Sequence, residues 1–251
     1  MIYHVVFWGN RKPISTGGEP TAVGSTSTNE SLSPRFVIIS ALFITALVSA
    51  NIVAVKLVVI TGEVLPAAIV IFPISYIMGD VLTEVYGFRR ARAVIWLGFL
   101  CNLLVVGTIW VGGLLPAASF WKENEAAYDT ILGYTPRLLV ASFTAYLVGE
   151  FANSMALSRM KVATRGRWLW TRTIGSTIMG QGLDSAMFIT IAFAGEVPDL
   201  WRLMWVQWLA KVSYEILATP LTYVVVTYLK RAEGVDTYDQ RVSLSPISLP
   251  R

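Results

Sequence analysis

Cysteine and histidine are nearly missing from this chain: its 251 residues contain one of each. A single cysteine, Cys101, excludes a disulfide framework and a thiolate metal centre. It lies within an apolar run and reads as a buried structural thiol. The one histidine, His4, falls in the polar N-terminal stretch, so histidine acid–base chemistry and histidine metal ligation are excluded from the body of the chain. Charge is scarce as well, at 14% of residues against roughly 25% in ordinary globular domains. No Gly-rich phosphate loop followed by Lys and Ser/Thr is present, and no HExxH zinc signature. The chain therefore hydrolyses no nucleotide of its own, and neither a resident cofactor nor a metal is expected. The formal charge of +4 is no nucleic-acid footprint, because the basic residues sit in short clusters between apolar runs.

What is abundant is apolar surface, at 55% of residues. Six runs of membrane-spanning length stand out, at 36–57, 64–86, 92–115, 136–157, 172–194 and 203–229. These predict an all-α membrane protein, a six-transmembrane-helix bundle occupying 34–231. Residues 1–33 are polar and low in complexity and read as a disordered cytoplasmic tail. Residues 232–251 read as a cytoplasmic C-terminal tail. The first two runs are separated by the tight turn Val59-Ile-Thr-Gly-Glu63. Ala117 to Thr135, with Trp121, Tyr128 and Tyr134, suits a short amphipathic piece at the interface. Lysine and arginine set the orientation. Arg89, Arg90 and Arg92 follow the second run, and Arg159, Lys161, Arg165 and Arg167 follow the fourth. The opposite side carries only Lys56, Lys122, Arg137 and Arg202. Both termini are thus expected in the cytoplasm.

The most informative stretch is Phe72-Pro-Ile-Ser-Tyr-Ile-Met-Gly-Asp-Val-Leu-Thr-Glu-Val-Tyr-Gly-Phe88. It places Asp80 and Glu84 four residues apart, on one helical face. Each carboxylate facing hydrocarbon would cost roughly 2.5–3.5 kcal/mol, so that face needs a protein or aqueous partner. Pro73 is expected to free carbonyls near Ile69, and Gly79 to admit a close neighbour. Further polar residues recur inside the runs: Asn51, Glu150, Asn153, Gln181, Asp184, Lys211 and Glu215, with Lys56 and Arg172 nearer the ends. Lys211 and Glu215, at i and i+4, are expected to neutralise one another. Arg172, near Trp168 and Trp170, is either a snorkelling anchor or part of the polar face.

Two short matches indicate an internal repeat. Ala50-Asn51-Ile-Val-Ala54 parallels Ala152-Asn153-Ser-Met-Ala156, and Ile77-Met-Gly-Asp80 parallels Ile178-Met-Gly-Gln181, at nearly one offset. Three spans per half then give a 3+3 inverted repeat, with a site where the halves meet. The expected substrate-binding residues are Asp80, Gln181 and Asp184, then Glu84, Glu150, Asn153, Asn51 and Tyr76. Carboxylates accept a paired N–H and amino group, carboxamides serve carbonyl and ring-nitrogen acceptors, and Tyr76 offers a stacking face. A guanine-like edge fits this inventory, and so does a proton relay or a cation path.

Over residues 36–230 the chain resembles the queuosine precursor transporter family, formerly grouped with vitamin uptake transporters. The resemblance rests on Ser49-Ala-Asn51 with Lys56, the whole 72–87 stretch with Arg90-Ala-Arg92, and Gly149-Glu-Phe-Ala-Asn-Ser154. It continues through Arg172-Thr-Ile-Gly-Ser-Thr177, Gly180-Gln181, Asp184-Ser185, Lys211 with Tyr214-Glu215, and Thr219-Pro220. It implies import of a small planar deazaguanine, 7-cyano- or 7-aminomethyl-7-deazaguanine, across the bacterial inner membrane for salvage of tRNA queuosine. The tail before residue 34 departs from the compact family pattern. An alternative role is a substrate-binding subunit docked on a separate energising complex through the Ala46, Ala50, Ala54 stripe, unless that stripe packs inside the bundle. An intramembrane enzyme is a further alternative. The partners expected are lipid bilayer and substrate, with no nucleic acid; self-association into a homo-oligomer is left open.

Overall fold

The turn expected at 59–63 is there, but it joins strands rather than helices. The computed structural model describes residues 32–60, 62–133, 136–195, 199–240 and 243–246; the expected N-terminal tail falls almost wholly outside them. Strands β1 (Leu57–Ile60) and β2 (Glu63–Pro66) pair antiparallel, with Ile60 opposite Glu63. A two-residue loop of this kind needs a left-handed position, which Gly62 supplies at φ 86°. The β-branched run Val58-Val-Ile60 favours the pleated conformation. Reading 64–86 as one continuous helix is therefore corrected: a short 3-10 turn at Ala67–Val70 follows the hairpin, and helix begins only at Phe72. Pro73 consequently lies in a first helical turn, where its missing N–H costs nothing, and it opens no break near Ile69.

The α-helices among the described residues are α1 (Pro34–Val53), α2 (Phe72–Tyr86), α3 (Phe88–Gly113), α4 (Glu125–Leu132), α5 (Pro136–Ala163), α6 (Leu169–Phe193) and α7 (Leu200–Glu233). Ser33 caps α1 by accepting from the Phe36 N–H at 3.0 Å, with Pro34 just inside. Gly87, at φ 84°, makes the reversal between α2 and α3. The interfacial piece expected at 117–135 appears as α4 and a preceding 3-10 turn, all without a buried residue. Four stretches are long and apolar enough to cross a membrane: α1, α3, α7 and the region Lys122–Ala163, which contains α5. Helix α2 has 15 residues, about 22 Å at 1.5 Å per residue, and α6 carries Arg172, Gln181 and Asp184.

Direction alternates along the bundle. Ser33, before α1, donates to Glu233 at the end of α7 (2.7 Å). Lys161, near the end of α5, donates to the Glu84 carbonyl in the last turn of α2. At the opposite end Arg137, early in α5, reaches the Ile191 carbonyl of α6, and Tyr128 of α4 reaches the Ile109 carbonyl of α3. The short polar α2 is the centre. Every residue from Gly79 to Tyr86 is buried, and the apolar core joins Phe36, Ile39 and Phe43 of α1 to Val81, Leu82 and Val85 of α2 and Val226 and Leu229 of α7. Large apolar side chains instead cover the outside, among them Leu42, Leu100, Leu104, Trp110, Trp205 and Leu217. A chain with buried ionic groups and an apolar exterior is built for lipid. Of the alanine stripe, Ala46 and Ala50 are buried within this single chain and serve the bundle's own packing, while Ala54 is half-buried at the end of α1.

Residues after α7 run back across the end of the bundle where α2 meets α3. Asp236 accepts from Lys161 at 2.6 Å and pairs with Lys230 at 2.9 Å. Asp239 accepts from the Phe88 N–H (2.8 Å) and the Ser158 hydroxyl (2.7 Å). Arg92 holds the Ser245 carbonyl at 2.8 Å. Burial alone would raise the Asp236 carboxyl, but Lys161 and Lys230 outweigh it and hold the group below the usual carboxylate range. Because the folded value is depressed, the attachment is complete above the ordinary aspartate pKa of about 3.9 and is lost as pH falls below it. Limited proteolysis in detergent should release the segment below about pH 4, and at neutral pH in Asp236→Asn. Equal resistance of both proteins at every pH would show that the segment is held by other contacts.

Candidate functional site: a buried polar cluster on four helices

Glycines bring the polar residues together. A Cβ on Gly79 of α2 would fall 2.8 Å from Glu150 Oε1 of α5 and 3.3 Å from the Phe43 ring of α1. A Cβ on Gly180 of α6 would fall 2.5 Å from the Asn153 Cβ, and one on Gly149 would fall 2.6 Å from the Asp184 Cβ. Small residues at such crossings let backbones approach closely. They set Glu150 beside Asp80, and set Gln181 and Asp184 beside Asn153 and Gly149.

Asp80 is 1% exposed, and its Oδ1 accepts from Asn153 Nδ2 at 2.9 Å. Asp80 Oδ2 and Asn153 Oδ1 are buried with no protein partner. One turn along, the Thr83 and Ser154 hydroxyls meet at 3.1 Å, fixing α2 against α5. Gln181 is buried on the facing part of α6. Tyr76, one turn before Asp80, is half-buried and stacks on Phe72 with centroids 5.8 Å apart. Lys211 Nζ lies 5.9 Å from the Phe72 ring centre.

The expected pairing of Lys211 with Glu215 does not form. Lys211 of α7 instead pairs with Asp184 of α6. A lysine has a long stem, and the partner across the α6–α7 contact wins over the one on its own helix. Glu215, 0% exposed, is left with both carboxylate oxygens unpartnered, and the Ser185 hydroxyl is unpartnered too. Buried polar atoms without partners are rare and call for a functional account. Pro220, inside α7, removes the N–H that would bind the Ile216 carbonyl, and the Thr219 hydroxyl bonds the Glu215 carbonyl at 2.7 Å.

Glu84 belongs to a different place. Arg172 Nε donates to its Oε2 and Arg172 Nη2 to its Oε1, both at 2.8 Å, while Lys230 donates at 2.6 Å and Lys161 lies 3.6 Å away. This network, with its bidentate Arg172–Glu84 pair fully buried and Lys230 22% exposed, ties α2, α5, α6 and α7 at the end covered by the C-terminal segment. Arg172, at 1% exposure, is therefore no snorkelling anchor. Asn51 sits in the last turn of α1, half-buried. Sequence reasoning missed Glu215 as an unpaired acceptor and missed Lys161 and Lys230 as partners of Glu84. The only advance signal for Glu215 was its place inside a span.

The chain matches one family model and curated proteins of known description. The family model described as "Putative vitamin uptake transporter" matches residues 66–225, the part of the chain that contains every residue of both polar clusters except Lys230 and Asp236. A "Probable queuosine precursor transporter" of Bacillus subtilis (strain 168) is 32% identical over 183 residues, covering 71% of this chain and 79% of that protein. The "Queuosine precursor transporter" of Escherichia coli (strain K12) is 25% identical over 122 residues, 49% of this chain and 52% of that protein. No solved structure matches the chain. With an apolar exterior, an ion-bearing interior and this match over more than half its length, the chain is a membrane transporter, not an enzyme, and belongs to the vitamin uptake transporter family that this model describes.

Proposed function

We propose that the chain imports a queuosine precursor, 7-cyano- or 7-aminomethyl-7-deazaguanine, across the bacterial inner membrane as a secondary transporter or facilitator. One observation carries this: Asp80 and Asn153 are locked to each other yet each keeps a buried acceptor without a protein partner. The ligand's ring N–H and amino group fit those acceptors. Gln181 serves its carbonyl, and the Phe72–Tyr76 pair gives its flat face a stacking surface. The relatives named queuosine precursor transporters supply the substrate class. Labelled precursor should enter a strain that cannot make it only when the chain is expressed. Failure of both precursors to enter overturns the proposal.

Six spans in a 3+3 inverted repeat, with both termini cytoplasmic, are part of the same proposal. Its support is the alternation of helix direction and the gathering of the arginine-rich α2–α3 and α5–α6 junctions at one end. The equivalent residues Gly79 and Gly180 both lie at tight crossings onto α5, and their neighbours Asp80 and Gln181 both enter the cluster. A reporter fused near Glu123 should read as periplasmic and one near Ala163 as cytoplasmic. Reversal of either reading contradicts this topology.

A further inference from the structure

The central cluster has more carboxylates than cations. Asp184 is matched by Lys211. Among the described residues no ion pair reaches Asp80, Glu150 or Glu215, and Arg172, Lys161 and Lys230 are all engaged with Glu84 or Asp236. Asp80 has one neutral donor, Asn153 Nδ2. Glu215 has none on either oxygen, and it lies one turn along α7 from Lys211, whose Nζ is 5.9 Å from the Phe72 ring of α2, the helix that carries Asp80. Both Glu215 oxygens, Asp80 Oδ2, Asn153 Oδ1 and the Ser185 hydroxyl are thus buried and unpartnered on the mutually packed helices α7, α2, α5 and α6.

We propose that Glu215 is a substrate-contacting, charge-selecting residue that, opposite Asp80, favours a deazaguanine bearing a protonated amine over one bearing a neutral nitrile. Asp80 Oδ2 and Asn153 Oδ1 take the ring N–H and the amino group, as above. That leaves Glu215 for a second group, and its two buried, unpartnered oxygens suit an ammonium, which brings three donors and a positive charge. A nitrile brings only an acceptor and leaves Glu215 as it was. The inference rests on the assignment of this cluster as the precursor site.

The test uses the full chain in a strain unable to make either precursor, supplied with labelled 7-aminomethyl- or 7-cyano-7-deazaguanine below saturation. Wild type should take up the aminomethyl form about 10- to 100-fold better, the range of one charge-assisted bond. Glu215→Gln should lose that preference, read as the ratio of aminomethyl to cyano uptake per inserted molecule, with insertion measured separately by immunoblotting of the membrane fraction. Glu215→Asp should keep part of the preference. Equal uptake of both precursors by wild type, or an equal fall of both in Glu215→Gln and Glu215→Asp alike, overturns the charge-selecting role. Entry of neither precursor with wild type overturns the proposed function itself, a separate outcome.

Discussion

Asp80→Asn should lower precursor uptake roughly 10- to 100-fold while leaving the amount of inserted protein at or above the wild-type level. The side chain keeps its shape, and its oxygen still accepts from Asn153 Nδ2, now 2.9 Å from Asp80 Oδ1. In place of the free Oδ2 it presents an amide N–H to a ligand that itself offers N–H groups. A charge-assisted bond worth about 1.5–3 kcal/mol becomes a donor–donor clash. The empty protein gains, because a buried neutral amide is cheaper to insert than an unmatched carboxylate. Uptake per inserted molecule, with immunoblotting of the membrane fraction, separates the two effects. Loss of protein with normal uptake per molecule would place Asp80 in the scaffold instead.

Glu84→Gln should do the reverse. Its carboxylate is the meeting point of Arg172, Lys230 and Lys161 from three other helices. Neutralising it leaves three cations gathered with only Asp236 to balance them, and Asp236 is itself 42% exposed in its side chain. Breaking a buried pair by removing one partner costs about 3–5 kcal/mol, enough to exhaust a large part of a domain's stability. Inserted protein should fall sharply, and thermal unfolding in detergent should move to lower temperature. The molecules that survive should bind precursor with near wild-type affinity, because the site around Asp80 is not touched. A variant of normal abundance that fails to bind precursor would move Glu84 into the substrate site.

The contrast between these two carboxylates was only half legible in the sequence. Their four-residue spacing put both on one face of the central helix, and α2 does bury that face. Their separate fates depend on what lies opposite, and for Glu84 that is Lys230, 146 positions along the chain. Local spacing also suggested that Lys211 and Glu215 pair. Packing of α7 on α6 offers Asp184 to the lysine, and no pattern within α7 records that. From sequence alone, 57–66 reads as the end of one span and the start of another, since a short apolar run has no period that separates strand from buried helix. The Gly62 turn was legible; the strands beside it were not. The C-terminal segment has no periodicity, and only the charges it meets give Asp236 and Asp239 a place. Asn153 and Asp80 came from the repeat and from burial cost respectively, and they are the two residues found hydrogen-bonded at the centre.

The central claim, that this chain alone moves a queuosine precursor through the Asp80–Asn153 cluster, is tested most directly with purified protein in liposomes. Labelled precursor should enter vesicles containing the wild-type chain and no other protein, unlabelled precursor should compete, and vesicles with Asp80→Asn should take up about a tenth as much or less. Entry equal to that of protein-free vesicles, or equal entry with wild type and Asp80→Asn, would contradict it.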